Sequence, residues 1–125
     1  MTSTTVQWSN YANFTEAEFR CRHCGKQEMK PEFMGRLQAL RDVYKRPMTI
    51  TSGYRCPDHP VEKAKAEPGM HSTGLACDVG VQGADAHELL RLAMHLGFTG
   101  IGVQQKGGGR FIHLDLRQQP TIWSY

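Results

Sequence analysis

Residues 69–78 read Gly69-Met70-His71-Ser72-Thr73-Gly74-Leu75-Ala76-Cys77-Asp78, and the rest of the chain is organised around them. Six residues separate His71 from Asp78, with Gly74 among them. An imidazole nitrogen and a carboxylate oxygen are both good zinc ligands, and a catalytic zinc takes three protein ligands with a fourth position left open. The third candidate ligand is His113, in Arg110-Phe111-Ile112-His113-Leu114-Asp115.

Strand alternation explains how these side chains could meet. Leu75 to Val81 reads as a strand with Ala76, Asp78 and Gly80 on one face and Leu75, Cys77, Val79 and Val81 on the other. Arg110 to Arg117 reads as another, with Phe111, His113 and Asp115 sharing a face. If the two strands are neighbours, Asp78 and His113 converge and His71 reaches over from its loop. Zinc held there lowers the pKa of a bound water to about 7 and polarises a carbonyl. Asp115 is the candidate to take the water's proton, and Arg55 the candidate to anchor a substrate or its oxyanion. Asp115 could equally orient His113, since a ligating imidazole needs such a partner. A competing arrangement is a Cys77–His113 hydrolase, disfavoured because alternation puts Cys77 on the face opposite Asp78. His23, His59, His87 and His95 read as surface or hydrogen-bonded residues.

Working outward, Thr15-Glu16-Ala17-Glu18 is a capping box that starts a short helix carrying Phe19 inward. Pro31 suits the first turn of a long helix, and Phe33, Leu37, Leu40 and Tyr44 mark its buried face before Pro47 stops it. Met48 to Ser52 is a short β-branched strand. Residues 57–70 form a long loop with one helical turn around Val61 to Ala66. A second long helix starts near Asp85, carries Ala86, Leu89, Leu90, Ala93 and Leu96, and stops at Gly97. Phe98 to Gln105 and Arg110 to Arg117 form a hairpin over a Gly-rich connection, and the tail with Pro120 and Trp123 packs back on the domain. The sum is an α+β fold: a small antiparallel sheet with two main helices, one domain over residues 1–125.

Composition narrows the function classes. A chain of 125 residues with 39% hydrophobic and 22% charged residues is ordinary globular material with one modest core. No apolar run approaches the ~18 residues of a membrane span, and the amino-terminal residues lack the pattern of a signal peptide. Synthesis and retention in the cytoplasm until release are expected. A net charge of +3, spread along the chain without a Lys/Arg block, argues against dedicated nucleic-acid binding. The expected state is a monomer. Cys21-Arg22-His23-Cys24 has the CxxC spacing of a zinc ribbon or redox pair. A ribbon needs a second CxxC, and Cys56 and Cys77 are far apart. The expectation is therefore small buried thiols near a turn, or a disulfide formed after release.

Three segments in order carry a family resemblance: Ser52-Gly53-Tyr54-Arg55, then His71 to Asp78, then His113-Leu114-Asp115. Together they resemble the zinc D-Ala-D-Ala carboxypeptidases, a family that includes bacterial wall-trimming peptidases and many phage endolysins. It shares its fold with the amino-terminal domain of hedgehog proteins. The likeness runs from about Phe14 to Arg117 and extends to Glu18-Phe19-Arg20-Cys21 and to Pro47–Cys56. It implies zinc on His71, Asp78 and His113, a substrate-holding role for Arg55, and a peptidoglycan stem peptide as substrate. D-Ala-D-Ala and L-Ala-D-Glu are the candidate bonds, and a phage or prophage lysis enzyme the candidate setting. One departure stands out. Several members place an acidic base three residues before the last histidine, where this chain has Arg110, which cannot act as one. That leaves room for an alternative, a catalytically silent zinc or cell-wall-binding module such as a virion component.

Overall fold

The domain is built on a five-stranded sheet, seen in a computed structural model that describes residues 5–67 and 69–125. Residues 1–4 of the amino-terminal stretch, and Pro68 of the long loop, lie outside the described residues. The Thr15 N–H donates to Glu18 Oε1 at 2.7 Å, so the capping box forms and starts α1 (Glu16–Phe19). Phe19 is buried beneath it.

Pro31 occupies the first turn of α2 (Pro31–Tyr44), where a missing N–H costs nothing. Phe33, Leu37, Leu40 and Tyr44 are all buried, as their spacing predicts. The helix ends earlier than the proline would require. Lys45 takes the left-handed conformation at φ 60°, so the chain has left the helix before Pro47. A single turn, α3 (Pro60–Lys63), interrupts the long loop, and a 3-10 turn over Met70–Thr73 carries His71. The last helix, α4 (Gly83–His95), is followed by Gly97 at φ 83°.

The strands are β1 (Thr49–Ser52), β2 (Ala76–Gly80), β3 (Gly100–Gln104), β4 (Phe111–Asp115) and β5 (Thr121–Ser124). Their order is β1-β2-β4-β3-β5. The first four pair antiparallel, but β5 lies parallel to β3, so the sheet is mixed rather than antiparallel. The cause is the tail. Its backbone crosses the start of β3, where the Thr121 N–H donates to the Thr99 carbonyl at 2.8 Å, and then runs alongside that strand.

Alternation splits the sheet into an apolar and a polar face. Cys77, Val79, Ile101, Ile112 and Leu114 join one buried cluster with Leu37, Leu40, Leu89 and Ala93 from α2 and α4. Burying each large side chain of this kind contributes about 1.5–3 kcal/mol. The opposite face carries Asp78, His113 and Asp115, with Gly100 and Gly102 of β3 beside them.

Candidate metal centre

The β2–β4 register sets Asp78 directly opposite His113, and Ala76 opposite Asp115. Gly74, at φ 78°, ends the 3-10 turn and leads directly into β2, which brings His71 above the pair. His113 Nδ1 lies 3.0 Å from Asp78 Oδ1, His71 Nε2 lies 3.2 Å from the same oxygen, and the two ring nitrogens are 3.2 Å apart. All three side chains are buried.

The far side of each ring decides what the near side can do. His71 Nδ1 is 2.7 Å from the Gly53 carbonyl oxygen, which can only accept, so that nitrogen carries the proton. His113 Nε2 is 2.7 Å from Asp115 Oδ2 and donates likewise. With both imidazoles neutral, two nitrogen lone pairs and a carboxylate oxygen then point at one another with no donor among them, and only a proton taken up on an inner nitrogen would supply one. Such a group of convergent acceptors calls for a cation, and its donor set is one that zinc takes. Proton binding meets this need in part. Burial works against the His113 imidazolium, but Asp115 and Asp78 outweigh it and raise its pKa. Burial likewise opposes charge on Asp78, yet hydrogen bonds from His113 and His71 hold its carboxyl well below the usual carboxylate range.

Asp115 lies behind His113 and away from the cleft. It is fully buried, and its oxygens accept from His113 and from Arg117, whose Nε is 3.0 Å and Nη2 2.6 Å away. Burial favours its neutral form, but these partners hold its carboxyl well below the usual range. The carboxylate occupies space that a side chain at position 100 would need, which is why β3 has glycine there. The expectation that Asp115 takes the proton of an attacking water does not match this placement. Of its two candidate roles, the geometry suits the one that orients His113.

Arg55 leaves β1 toward the site. Its Nη2 is 3.7 Å from Asp78 Oδ2 and its Nη1 is 3.6 Å from Glu62 Oε2, while its buried Nε has no hydrogen-bond partner among the described residues. Glu62 escaped the sequence reading because a glutamate in a charged, aperiodic loop looks like surface. It is buried, accepts from the Gly69 N–H at 2.7 Å, and fixes the loop that leads into His71. Trp123 and Tyr125 are the other omissions. The Trp123 ring centroid is 5.1 Å from that of His113, and Arg117 stacks on Trp123 at 4.4 Å. A side chain at Gly102 would collide with Trp123 Nε1 and Tyr125 Oη, at 2.7 and 2.9 Å. The alternate glycines of β3 opposite His113 and Asp115 are the sequence signal for both features.

A cleft of about 360 Å³ opens over His71, Asp78 and His113, with Arg55, Lys65 and Arg117 among its walls. Asp78 is its sole lining carboxylate among the described residues. Arg110 is not in it: its Nε donates to the Gly107 carbonyl at 2.9 Å and closes the β3–β4 turn. Cys77 is not in it either. It is fully buried on the helix side, where burial pushes its thiol well up, and a Cys77–His113 pair is ruled out by position.

The peptidase M15 family model matches residues 12–115. The chain belongs to the peptidase M15 family. M15 peptidases are zinc-dependent, and in this member the residues that could hold the metal are His71, Asp78 and His113. No curated protein sequence matches the chain.

Proposed function

We propose that this M15 peptidase hydrolyses peptidoglycan stem peptides, at D-Ala-D-Ala or at L-Ala-D-Glu, with zinc on His71, Asp78 and His113. The observation that carries the proposal is the cleft itself. Three convergent ligands lie at its floor, and its walls carry Arg55, Lys65 and Arg117, suited to a short peptide bearing free carboxylates. When bound, zinc would supply an acidified water and polarise the scissile carbonyl. The protein's own groups do the rest. Asp115 and the Gly53 carbonyl hold both imidazoles with their lone pairs inward. Arg55 offers a cation beside Asp78 for the substrate carboxylate or the developing oxyanion. Trp123 and Tyr125 line the cleft next to His113. Such an enzyme suits a phage or prophage lysis role, acting on the wall after release from the cell that made it.

One observation favours a second reading, a zinc-bearing wall-binding module without turnover. Among the described residues the cleft has no lining carboxylate besides Asp78, and Arg110 is committed to the β3–β4 turn. Mass analysis of muropeptides digested with and without a chelator separates the two. Chelator-sensitive cleavage, lost in His71→Ala and His113→Ala, supports the peptidase. Stoichiometric zinc and wall binding with intact muropeptides would favour the binding module.

A further inference from the structure

A second cluster of metal-binding side chains lies outside the cleft. Folding brings Cys56, at the exit of β1, to the Cys21–Cys24 pair, and the three sulfur atoms lie within 4.8 Å of one another. Sequence separation concealed this, since Cys56 follows Cys24 only after the whole of α2. Four sulfur ligands at about 2.3 Å around a tetrahedral zinc stand about 3.8 Å apart, so the three thiols are close to ligand spacing. The His23 Nδ1 is 3.6 Å from Cys56 Sγ and is a candidate fourth donor.

The backbone around the cluster is shaped for thiolates. The chain folds back between Cys21 and Lys26: the Cys21 N–H donates to the Lys26 carbonyl at 2.7 Å, and the Gly25 N–H donates to the Cys21 carbonyl at 2.8 Å. Gly25 takes φ 78° to make that turn. The Cys56 N–H points at Cys21 Sγ from 3.3 Å. A cleft of about 300 Å³ lined by His23, Cys24, Tyr54, Cys56 and Asp58 gives an ion access from solvent.

We propose that Cys21, Cys24 and Cys56, with the His23 imidazole, bind a second, structural zinc ion. Its location gives it a purpose. Residues 53–56 form a strap between two parts of the fold. On one side the Tyr54 N–H donates to the Phe19 carbonyl at 3.0 Å. On the other, the Arg55 N–H donates to the His71 carbonyl at 3.1 Å, and Ser72 Oγ donates to the Arg55 carbonyl at 2.7 Å. The same strap supplies the Gly53 carbonyl that sets the His71 tautomer. A metal on Cys56 would pin this strap to the loop after α1 and hold Arg55 and His71 in register. This inference stands on its own residues and does not depend on the substrate proposed above.

Zinc content of the full chain, purified under reducing conditions, tests it. Two zinc ions per chain are expected in the natural protein. One is expected in the His71→Ala/His113→Ala variant and one in the Cys24→Ser/Cys56→Ser variant. Cobalt substitution adds a second, spectroscopic readout. The thiolate site should give sulfur-to-metal charge-transfer absorbance in the near ultraviolet, kept in His71→Ala/His113→Ala and lost in Cys24→Ser/Cys56→Ser. A single zinc that disappears with His71→Ala/His113→Ala, with no sulfur band and the thiols free or paired as a disulfide, overturns the proposal. Two zinc ions with no muropeptide cleavage would leave the second site standing and remove the peptidase assignment instead.

Discussion

His113 Nε2 lies 2.7 Å from Asp115 Oδ2, two residues along the same strand, while His113 Nδ1 lies 3.0 Å from Asp78 Oδ1 on the strand beside it. One imidazole thus spans the site from a buried carboxylate at the back to a carboxylate that could hold the metal at the front. Residues i and i+2 of a strand share a face, so the sheet itself provides the pairing. Arg117 closes the back, with two nitrogens on the Asp115 carboxylate.

Asp115→Asn should therefore act through the metal. Partners of this kind are worth about 10–100-fold in metal affinity, and a loss of that size is expected in competition with a chromophoric chelator. At saturating zinc most of kcat should return. An unchanged zinc affinity with a collapsed kcat would instead make Asp115 the base.

Gly100→Ala should damage the same site by crowding. The added methyl would overlap the Asp115 carboxylate, which is packed against buried strand backbone and tied to Arg117. Overpacking costs about 1–3 kcal/mol, so the denaturation midpoint should fall along with zinc affinity. Gly108→Ala is the matched control, because a methyl there meets nothing within 4 Å. Equal midpoints for the two variants would show that the glycine of β3 is not reserved for the carboxylate.

Acid should destabilise the chelated protein steeply. Asp78 and Asp115 are both held well below the usual carboxylate range, and Glu62 is lowered as well, where burial opposes the shift and the Gly69 N–H, Lys65 and Arg55 produce it. A depressed folded pKa stabilises fully above the unfolded value of about 4 and is lost as pH falls through the folded value. Urea midpoints should thus drop as pH falls below about 4. Asp115→Asn should show a shallower drop, and an identical acid limb would mean that Asp115 is not ionised in the fold.

Zinc affinity should have its own pH dependence. His113 binds its proton above the ordinary histidine value of about 6.5, and that proton must leave before zinc can take Nδ1 or its partner geometry. Asp78 has no proton to lose. Affinity at this site, read in Cys24→Ser/Cys56→Ser, should fall at least about tenfold per pH unit below the His113 pKa, since one displaced proton is the minimum for a site with two histidine ligands. A pH-independent affinity between 5 and 8 would contradict the assignment of His113 as a ligand.

The parts of this site that lie on one strand or one short turn were legible in the sequence. Period-2 alternation places Asp78, His113 and Asp115 on a shared face before any pairing is known, and the β2–β4 register then sets Asp78 against His113. Contacts made through long loops were not. Glu62 and Cys56 gain their places only when residues 53–67 fold against the rest of the domain, and no local pattern marks a buried glutamate in a charged loop. β5 was missed for another reason. Four residues whose burial does not alternate give no strand signal, and Ile122 points into solvent at 63% exposure.

Arg55 should contribute to substrate binding rather than to the metal. Its guanidinium reaches toward Asp78 at 3.7 Å and Glu62 at 3.6 Å, distances that leave room for a shorter contact with an incoming carboxylate. A hydrogen bond to a charged group is worth about 1.5–3 kcal/mol, so Arg55→Ala should raise KM about 10–100-fold. Arg55→Lys should recover only part of this, since an ammonium keeps the charge but loses the two-armed geometry. Zinc content at His71, Asp78 and His113 should stay at one ion in both variants. A double-mutant cycle identifies the partner: one axis is Arg55→Ala, the other a substrate with its terminal carboxylate amidated. If Arg55 grips that carboxylate, amidation should weaken the natural enzyme and make little further difference to Arg55→Ala. Fully additive losses would separate the two groups and point Arg55 at the scissile carbonyl, in which case kcat, not KM, should carry the effect.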